Sequence, residues 1–161
     1  MIESKKIIID DLDIKILKIL TKNGAISHRQ IAKDLERSPV TISKHIKELE
    51  DKGIIEGYTT TINYENLGYD ILALIELTIS QGKMLDVEKD IAQHPNIFAV
   101  YDITGTYDAA ILSRFKTRAE LSELLKLINS KDYVVRTNTH IILNTIKEGT
   151  DFEKLSNLND V

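Results

Sequence analysis

The chain has 161 residues, of which 42% are hydrophobic and none is cysteine, and its formal net charge is −4. This length allows one large domain or two small ones, and the hydrophobic content excludes a disordered chain. The lack of cysteine excludes a disulfide framework and thiolate chemistry, which fits a cytoplasmic location. Residues 1–13 contain only three consecutive apolar residues, so we expect neither a signal peptide nor a membrane span there.

The charge is unevenly distributed along the chain. Residues 1–55 hold eleven Lys or Arg against nine Asp or Glu, whereas residues 56–161 hold ten against sixteen. The positive excess is concentrated in residues 28–47, with five basic residues against two acidic ones. A local basic field favours binding of a polyanion at that segment, while the acidic remainder repels one. A surface this weakly basic is expected to depend on dimerisation for its affinity.

Helical periodicity begins at residues 10–23. Asp10 or Asp11 is placed to cap this helix, and Asn23-Gly24 is placed to end it. Apolar residues recur at helical spacing and form one broad face that can pack against further helices. The residues of this face are Leu12, Ile16, Leu17, Ile19 and Leu20.

Residues 27–53 predict two further short helices joined by a tight turn. Ser27 is a suitable N-cap for the first, and Ser38 followed by Pro39 is a typical start for the second. Lys52-Gly53 predicts a left-handed end. Three helices in this order predict a helix-turn-helix module, which makes DNA binding the leading hypothesis. The buried stripe of the last helix is predicted to be Ile42, Ile46 and Leu49.

The outward face of that last helix has a polar and basic composition. Its N-terminal end would enter the major groove, where Thr41 can bond a base edge or a phosphate and Val40 can contact a thymine methyl group. Lysine and arginine side chains suit phosphate contacts, which fix position without discriminating sequence. A capped helical pair with a solvated charged face is the alternative interpretation. The candidate DNA-binding residues are Arg29, Arg37, Ser38, Val40, Thr41, Ser43, Lys44, His45 and Lys47.

A change of composition follows the helical module. Residues 54–66 are rich in β-branched residues and tyrosines, and predict a short wing strand and a connecting strand. The predicted domains are a winged helix-turn-helix DNA-binding domain over 1–55, a wing and connecting linker over 56–67, and a second domain over 68–148. Residues 149–161 are interpreted as a polar tail with no assigned role.

The second domain is predicted to be a βαββαβ ferredoxin-like fold, so that the whole chain is α+β. The expected strands cover residues 69–80, 97–104, 107–115 and 133–147, and the expected helices cover 84–93 and 117–129. An antiparallel sheet would carry both helices on one face, so a second copy is expected to cover the other. The helix residues expected to face the core are Leu85, Val87, Ile91 and Ala92, and Leu121, Leu124, Leu125 and Ile128.

Catalytic and metal-binding motifs do not occur in the sequence. His28, His45, His94 and His140 lack the i, i+4 spacing of a zinc-binding helix, and there is no P-loop and no GxGxxG. We therefore expect a protein that is not an enzyme and that has no resident cofactor or metal.

Four motifs occur in one order: DDLDIKILKIL, SPVTISKHIKELEDKGIIEGY, NYENLG, and GTYD at 105–108. Together, over roughly residues 8–148, they resemble the Lrp/AsnC family, the feast/famine transcriptional regulators. The resemblance implies binding to double-stranded promoter DNA, a C-terminal RAM/ACT-like domain that binds an amino acid, and homodimers that assemble further, often to octamers. This chain departs from the family pattern at the helix-turn-helix turn, where Glu36-Arg37 replaces glycine and an apolar residue, and at the apolar Val40.

The resemblance places the effector between dimers, near the GTYD loop and threonines of the last strand. Gly105 would let the backbone approach a ligand, and Asp108 can hold an amino group. Asp102 lies just before the turn, and together with Asp108 it would favour a basic or polar effector over leucine. The alternative is that Asp102 simply faces water. A plain hairpin turn is the alternative for this loop. The candidate effector-binding residues are Asp102, Gly105, Thr106, Tyr107, Asp108, Thr137 and Thr139.

Two other functions remain open at this point. Some tetrapyrrole-processing decarboxylases are similar to this two-domain architecture, although they would not need Pro39 and an outward basic face. The chain is alternatively an amino-acid-binding oligomerisation module whose first domain is only a scaffold. Steep salt dependence and sequence preference in DNA binding would separate a regulator from both.

Overall fold

The computed structural model describes residues 8–80 and 82–157, so the expectation for the first residues of the chain falls mainly outside the described part. No helix among the described residues is long and apolar enough to cross a membrane. The backbone contacts divide the chain into two compact units. The first comprises the described residues up to 61 together with those from 148 onward, and the second comprises residues 62–147.

Three helices form the body of the first unit: α1 (Asp11–Lys22), α2 (His28–Asp34) and α3 (Pro39–Asp51). Serine or aspartate caps each N-terminus, because a short side-chain oxygen can accept from an N–H of the first turn that has no partner within the helix. The predicted three-helix module is therefore confirmed. Its core consists of Ile16, Leu17, Ile31, Ala32, Ile42, Ile46 and Leu49.

The turn between α2 and α3 adopts the left-handed geometry that glycine would favour. Glu36 has φ 53°, and it is the one non-glycine residue with positive φ in the described part of the chain. The Arg37 N–H donates to the Ala32 carbonyl at 2.9 Å and closes the turn. A side chain in this conformation costs roughly 1–2 kcal/mol relative to right-handed geometry. The predicted end of α3 is also observed, since Gly53 has φ 67°.

The strands predicted across residues 54–66 are absent. Ile54 and Ile55 pack against the three-helix core, and the next regular element is a 3-10 turn over Glu65–Leu67. A strand requires a neighbour that satisfies its N–H and C=O groups, and no described residue pairs with this segment in a ladder. The β-branched composition therefore marks an irregular connection rather than a paired wing.

The polar tail predicted over residues 149–161 contains a helix, α6 (Phe152–Asn157). Phe152 packs against the three-helix core, and the carboxylate of Glu153 lies 2.6 Å from Lys22 Nζ. Lys18 Nζ donates to the side-chain oxygen of Asn157 at 2.7 Å. This segment therefore belongs to the helix-turn-helix unit, and the three-residue spacing of Phe152 and Leu155 was the sequence signal for it.

Four antiparallel strands form the sheet of the second unit: β1 (Ile71–Ile79), β2 (Ile97–Asp102), β3 (Ala109–Phe115) and β4 (Val134–Ile142). Their order is β2-β3-β1-β4, with α4 (Met84–Ile91) and α5 (Arg118–Asn129) in the connections. This is the predicted βαββαβ ferredoxin-like arrangement.

The two faces of the sheet differ in composition and cover. Along β1, Ala73, Ile75, Leu77 and Ile79 are buried with residues of α4 and α5 in one core, whereas Leu72, Leu74 and Glu76 alternate with them and remain partly exposed. Successive side chains of a strand point to opposite faces, so the second set lies on a face without helices.

The buried positions of α4 differ from the expectation. Leu85 is 61% exposed and Ala92 is also exposed, so these two predictions are wrong. Val87 and Ile91 are buried as expected, and the third buried residue is the acidic Glu88. On α5, Leu121, Leu124 and Ile128 are buried as predicted, and Leu125 is partly buried against the same core.

Candidate nucleic-acid interface and effector loop

The N-terminal end of α3 is capped and exposed. Ser38 Oγ accepts the Thr41 N–H at 3.0 Å, and Pro39 occupies the first turn, where a missing N–H loses no helical hydrogen bond. Val40 follows with 79% of its surface exposed, although it is a branched apolar residue. Because Ile42, Ile46 and Leu49 anchor the opposite side of the helix, this end is held in place and directed outward.

Basic side chains surround this exposed end. Arg29 on α2, Arg37 in the turn, and Lys44 and Lys47 on α3 are all exposed. Lys44 lies 3.8 Å from Glu48, and Arg37 donates to the Glu36 carbonyl at 3.2 Å. These contacts are weak because the groups are solvated, so both side chains can exchange them for phosphates. Within the described part of the chain, neither Arg29 nor Lys47 forms an ion pair.

Two of the predicted DNA-binding hydroxyls already have partners. Thr41 Oγ1 lies 2.9 Å from Ser38 Oγ and belongs to the helix cap, and Thr41 is only partly exposed. Ser43 Oγ lies 2.9 Å from His28 Nδ1. Ser43 remains exposed, so it can still contact a base or a phosphate beside Val40.

His45, one of the candidate DNA-binding residues, is only partly exposed. Its Nδ1 donates to Asp13 Oδ1 at 2.7 Å, which directs the ring toward α1. Burial works to raise the pKa of Asp13, but hydrogen bonds from the Asp10 N–H and from His45 outweigh it, and the pKa lies below its ordinary value. His45 therefore joins α3 to α1.

Asp10, Asp13 and His45 are the described residues whose donor atoms come close enough to hold a metal ion, within 4.8 Å. The structure explains this proximity without a metal. The Asp10 and Asp13 carboxylates each accept the other's backbone N–H, at 2.8 and 3.0 Å, and form a capping box for α1. The remaining oxygen of Asp13 accepts from His45, so the cluster joins the start of α1 to α3.

The GTYD segment forms the loop between β2 and β3. The Ile103 N–H donates to the Asp108 carbonyl at 2.9 Å, and Gly105 has φ 127°, a region that favours glycine. Asp108 Oδ2 accepts the Ile79 N–H at 2.7 Å, so one oxygen of this carboxylate ties the loop to the end of β1. Both the hairpin interpretation and a ligand role for the second oxygen fit this geometry.

The other predicted effector residues lie around the same end of the sheet. Asp102 pairs with Ala109 beside the loop, and Thr137 pairs with Leu77 on the far side of β1. The loop and Thr137 are separated by two strand spacings, a distance of about 10 Å. Thr137 donates to Asn129 Oδ1 at 3.2 Å, and Thr139 lies two residues further along β4, opposite Ile75. Thr106 is exposed, and Tyr107 packs with the Arg136 guanidinium 6.0 Å from its ring centre.

Glu88 is the residue of this region that sequence reasoning missed. Burial, followed by the charges of Asp102 and Asp108, raises the pKa of Glu88 above its ordinary value. The signal was present in the sequence, because positions 84, 87, 88 and 91 form one helical stripe and an acid at 88 interrupts it.

Comparison with known proteins agrees with both halves of this description. A family model described as a winged helix-turn-helix DNA-binding domain matches residues 9–56, and one described as the Lrp/AsnC ligand binding domain matches residues 72–152. An uncharacterized HTH-type transcriptional regulator of Pyrococcus abyssi is 41% identical over 140 residues, which cover 87% of this chain and 95% of that protein.

Solved structures give the same result. Escherichia coli AsnC superimposes with a TM-score of 0.84 at 26% identity, covering 89% of this chain and 98% of that one. A transcriptional regulator from Neisseria meningitidis, solved as a complex with L-Met, gives a TM-score of 0.82 at 26% identity, covering 89% and 96%.

A winged helix-turn-helix module joined to a ferredoxin-like ligand-binding domain defines a class of DNA-binding transcriptional regulators. The chain belongs to the Lrp/AsnC family of these regulators, as the sequence motifs indicated. The family consists of DNA-binding proteins, so membership does not favour the decarboxylase alternative.

Proposed function

We propose that the chain is a sequence-specific regulator that inserts the N-terminal end of α3 into the major groove of promoter DNA. The observation that carries this proposal is the exposure of Val40 at the start of a capped helix whose other side is fully buried. A helix fixed in this way presents a rigid edge to base pairs, and Val40 matches the methyl group of thymine. Arg29, Arg37, Lys44 and Lys47 contact phosphates and set the register.

The working form is a homodimer in the cytoplasm that assembles further, to an octamer, without enzymatic activity. The face of the sheet opposite α4 and α5 supports this proposal, because Leu72, Leu74 and Leu112 lie on it and are only partly buried. Dimerisation presents two copies of α3, and two linked contacts compensate for the modest positive charge of each module.

An amino acid that binds near the GTYD loop controls this assembly or its affinity for DNA. Support comes from the match to a ligand-binding domain model and from the related Neisseria regulator, which was solved with L-Met. The candidate contacts are Asp102, Gly105, Thr106, Tyr107, Asp108, Thr137 and Thr139.

Gel-shift titrations on operator and random DNA over a range of salt test the DNA interface. Lys47→Ala should weaken binding to all sequences and lower the salt slope by about 1 per lost phosphate contact. Val40→Ala should change the preference at one base position and leave the salt slope unchanged. Lys126→Ala removes the same charge at an exposed position of α5 and serves as the matched control. Thr41 is unsuitable as a probe of base recognition because its hydroxyl contributes to the cap.

An equal loss of DNA affinity in Lys47→Ala and Lys126→Ala would contradict the DNA proposal, since the charge would then act from any surface.

A thermal-shift screen of the twenty amino acids tests the effector proposal, because a ligand of the native state raises the melting temperature. If Asp108→Ala abolishes the rise in melting temperature caused by an amino acid and leaves DNA binding intact, the result supports the loop as the effector site. If the same amino acid binds Asp108→Ala with unchanged affinity, the effector site lies elsewhere.

A further inference from the structure

A hydrogen bond between His28 and Ser43 joins α2 to α3 at the candidate DNA-binding surface. His28 is the first residue of α2, and its Nδ1 lies 2.9 Å from Ser43 Oγ on α3. Both side chains are exposed, so water can replace either partner and the contact contributes little to folding. Its consequence lies instead in what the Ser43 hydroxyl can offer to a bound ligand.

Ser43 lies on the exposed stripe of α3. Four exposed residues follow the i, i+3, i+4, i+7 spacing of one helix face: Val40, Ser43, Lys44 and Lys47. Val40 has no hydrogen-bonding group in its side chain, and a lysine ammonium group only donates. The hydroxyl of Thr41 belongs to the helix cap. Ser43 is therefore the side chain of this stripe that can accept a hydrogen bond.

A serine hydroxyl by itself discriminates poorly between bases. It can donate its hydrogen to guanine or thymine, or accept from the amino group of adenine or cytosine. A fixed partner removes this ambiguity, because the single hydrogen of the hydroxyl can be donated in only one direction. When His28 Nδ1 accepts that hydrogen, Ser43 presents only lone pairs to a base.

The tautomer of His28 decides the direction of this hydrogen bond. A neutral imidazole carries hydrogen on one ring nitrogen and a lone pair on the other. Nε2 lies across the ring from Nδ1, and no described residue forms a hydrogen bond with it. The backbone of a duplex presents phosphate oxygens, which only accept. The tautomer complementary to such a backbone carries its hydrogen on Nε2, which leaves Nδ1 to accept from Ser43.

We propose that His28 is a positioning residue that sets base specificity: it accepts the Ser43 hydroxyl hydrogen, so that Ser43 selects adenine or cytosine at one operator position. This inference rests on the proposed entry of α3 into the major groove and specifies what the helix recognises there. In that groove adenine N6 and cytosine N4 donate, whereas guanine O6 and thymine O4 accept. A Ser43 hydroxyl that can only accept would leave guanine or thymine without a donor.

Selection of operators from a randomised DNA library with the full-length protein provides the test, at pH 8.0, where an imidazole is ordinarily neutral. Gel shift on the four base variants of each operator position then gives relative affinities. We expect one position at which adenine or cytosine is bound about 3- to 10-fold more tightly than guanine or thymine, the effect of one hydrogen bond. Ser43→Ala and His28→Ala should each reduce this ratio to about 1.

Three further variants separate positioning from a general loss of binding. The double variant of His28→Ala and Ser43→Ala should give the same ratio as either single variant, because both changes remove one interaction. His28→Asn retains an acceptor near the position of Nδ1 and should keep most of the preference. Arg29→Ala, at the next position of α2, is the matched control and should weaken all operators alike without changing the ratio. The melting temperature of His28→Ala should stay close to that of the wild type, because the side chain is exposed.

The outcomes separate this inference from the proposed DNA interface. A wild-type ratio in His28→Ala overturns the inference, as does a preference for guanine or thymine at the position that Ser43→Ala affects. In both cases, a base preference that Val40→Ala alters leaves the proposed interface standing. A wild-type protein without base preference at any position overturns both.

Discussion

At the scale of single residues, Asp13 is a buried acid that joins two helices of the DNA-binding unit. Only 5% of this acid is exposed, yet it accepts from the Asp10 N–H and from His45 Nδ1. A buried carboxylate with two donors is stabilised in its charged form. Through it, the start of α1 is joined to α3 by a contact that depends on the charge of Asp13.

Asp13→Asn should lower the free energy of unfolding at pH 7 by about 1–3 kcal/mol, because an amide cannot replace a buried carboxylate that accepts two hydrogen bonds. The pKa of Asp13 is lowered in the folded state, so this stabilisation is fully present above its unfolded pKa near 3.8 and is lost as the pH falls through the folded pKa. Urea denaturation followed by circular dichroism at pH 7, 5 and 3 measures the difference.

Asp11→Asn is the matched control, since Asp11 is an exposed acid in the same turn of α1. It should cost at most about 1 kcal/mol through the helix dipole. A deficit for Asp13→Asn that is the same at pH 3 and pH 7 would contradict a role for the charge.

At the scale of elements, α6 extends the helix-turn-helix unit with residues from the far end of the chain. Phe152→Ala should destabilise this unit by about 1–2 kcal/mol, less than for a fully buried phenylalanine because the ring is only partly covered. Thermal denaturation monitored by circular dichroism measures the effect. Ile146→Ala is the control, because that side chain is 93% exposed. Equal melting temperatures for Phe152→Ala and the control would mean that α6 is not held against α1 in solution.

Glu36, in the turn between α2 and α3, has a strained left-handed backbone, and one substitution should remove this strain. Glu36→Gly replaces a left-handed glutamate with the residue that adopts φ 53° without strain, although glycine also gains entropy in the unfolded chain. We expect a net gain in stability of about 0.5–1 kcal/mol by urea denaturation. Arg37→Gly, next to it, should instead be destabilising, because that residue has negative φ. A loss from Glu36→Gly would show that the glutamate side chain stabilises the turn.

The elements that sequence analysis predicted correctly are those fixed by local chemistry. Ser27, Ser38 and Gly53 act within one turn of a helix, and the stripe of Ile42, Ile46 and Leu49 has the helical period. The errors concern contacts between distant residues. Nothing near His45 in the sequence indicates its hydrogen bond to Asp13. The composition of residues 54–66 favours strands, but it does not reveal whether a described strand lies beside them to pair with.

The candidate effector site was predictable to a similar extent. The GTYD loop and Asp102 were recognised because a turn and a motif are local features. Glu88 was missed because Leu85 and Ala92 were preferred as core residues on hydrophobicity alone. Helical phase places position 88 on the same stripe as 84, 87 and 91, so phase was a better guide than residue type.

At the scale of the whole molecule, the proposed homodimer would bury the helix-free face of the sheet and bring two copies of α3 together. Leu74 lies opposite Leu112 on β3 and His140 on β4, near the middle of this face. Beside it, Glu76 Oε2 accepts from Asn138 Nδ2 at 2.9 Å and lies 3.2 Å from His140 Nε2. An apolar centre with satisfied polar groups beside it is typical of the buried part of a stable subunit interface.

Leu74→Arg should therefore convert the wild-type dimer or higher assembly into monomers, because an unpaired charge would be buried between two sheets. Sedimentation equilibrium measures the mass, and gel shift should show about 100-fold weaker operator binding as the second half-site contact is lost. Leu85→Arg introduces the same charge on the exposed side of α4 and should leave at least the dimer intact. If Leu74→Arg retained the wild-type mass, the subunits would meet elsewhere. If it became monomeric but kept full DNA affinity, each module would bind alone, and the weak positive charge of the helix-turn-helix unit would need another source of affinity.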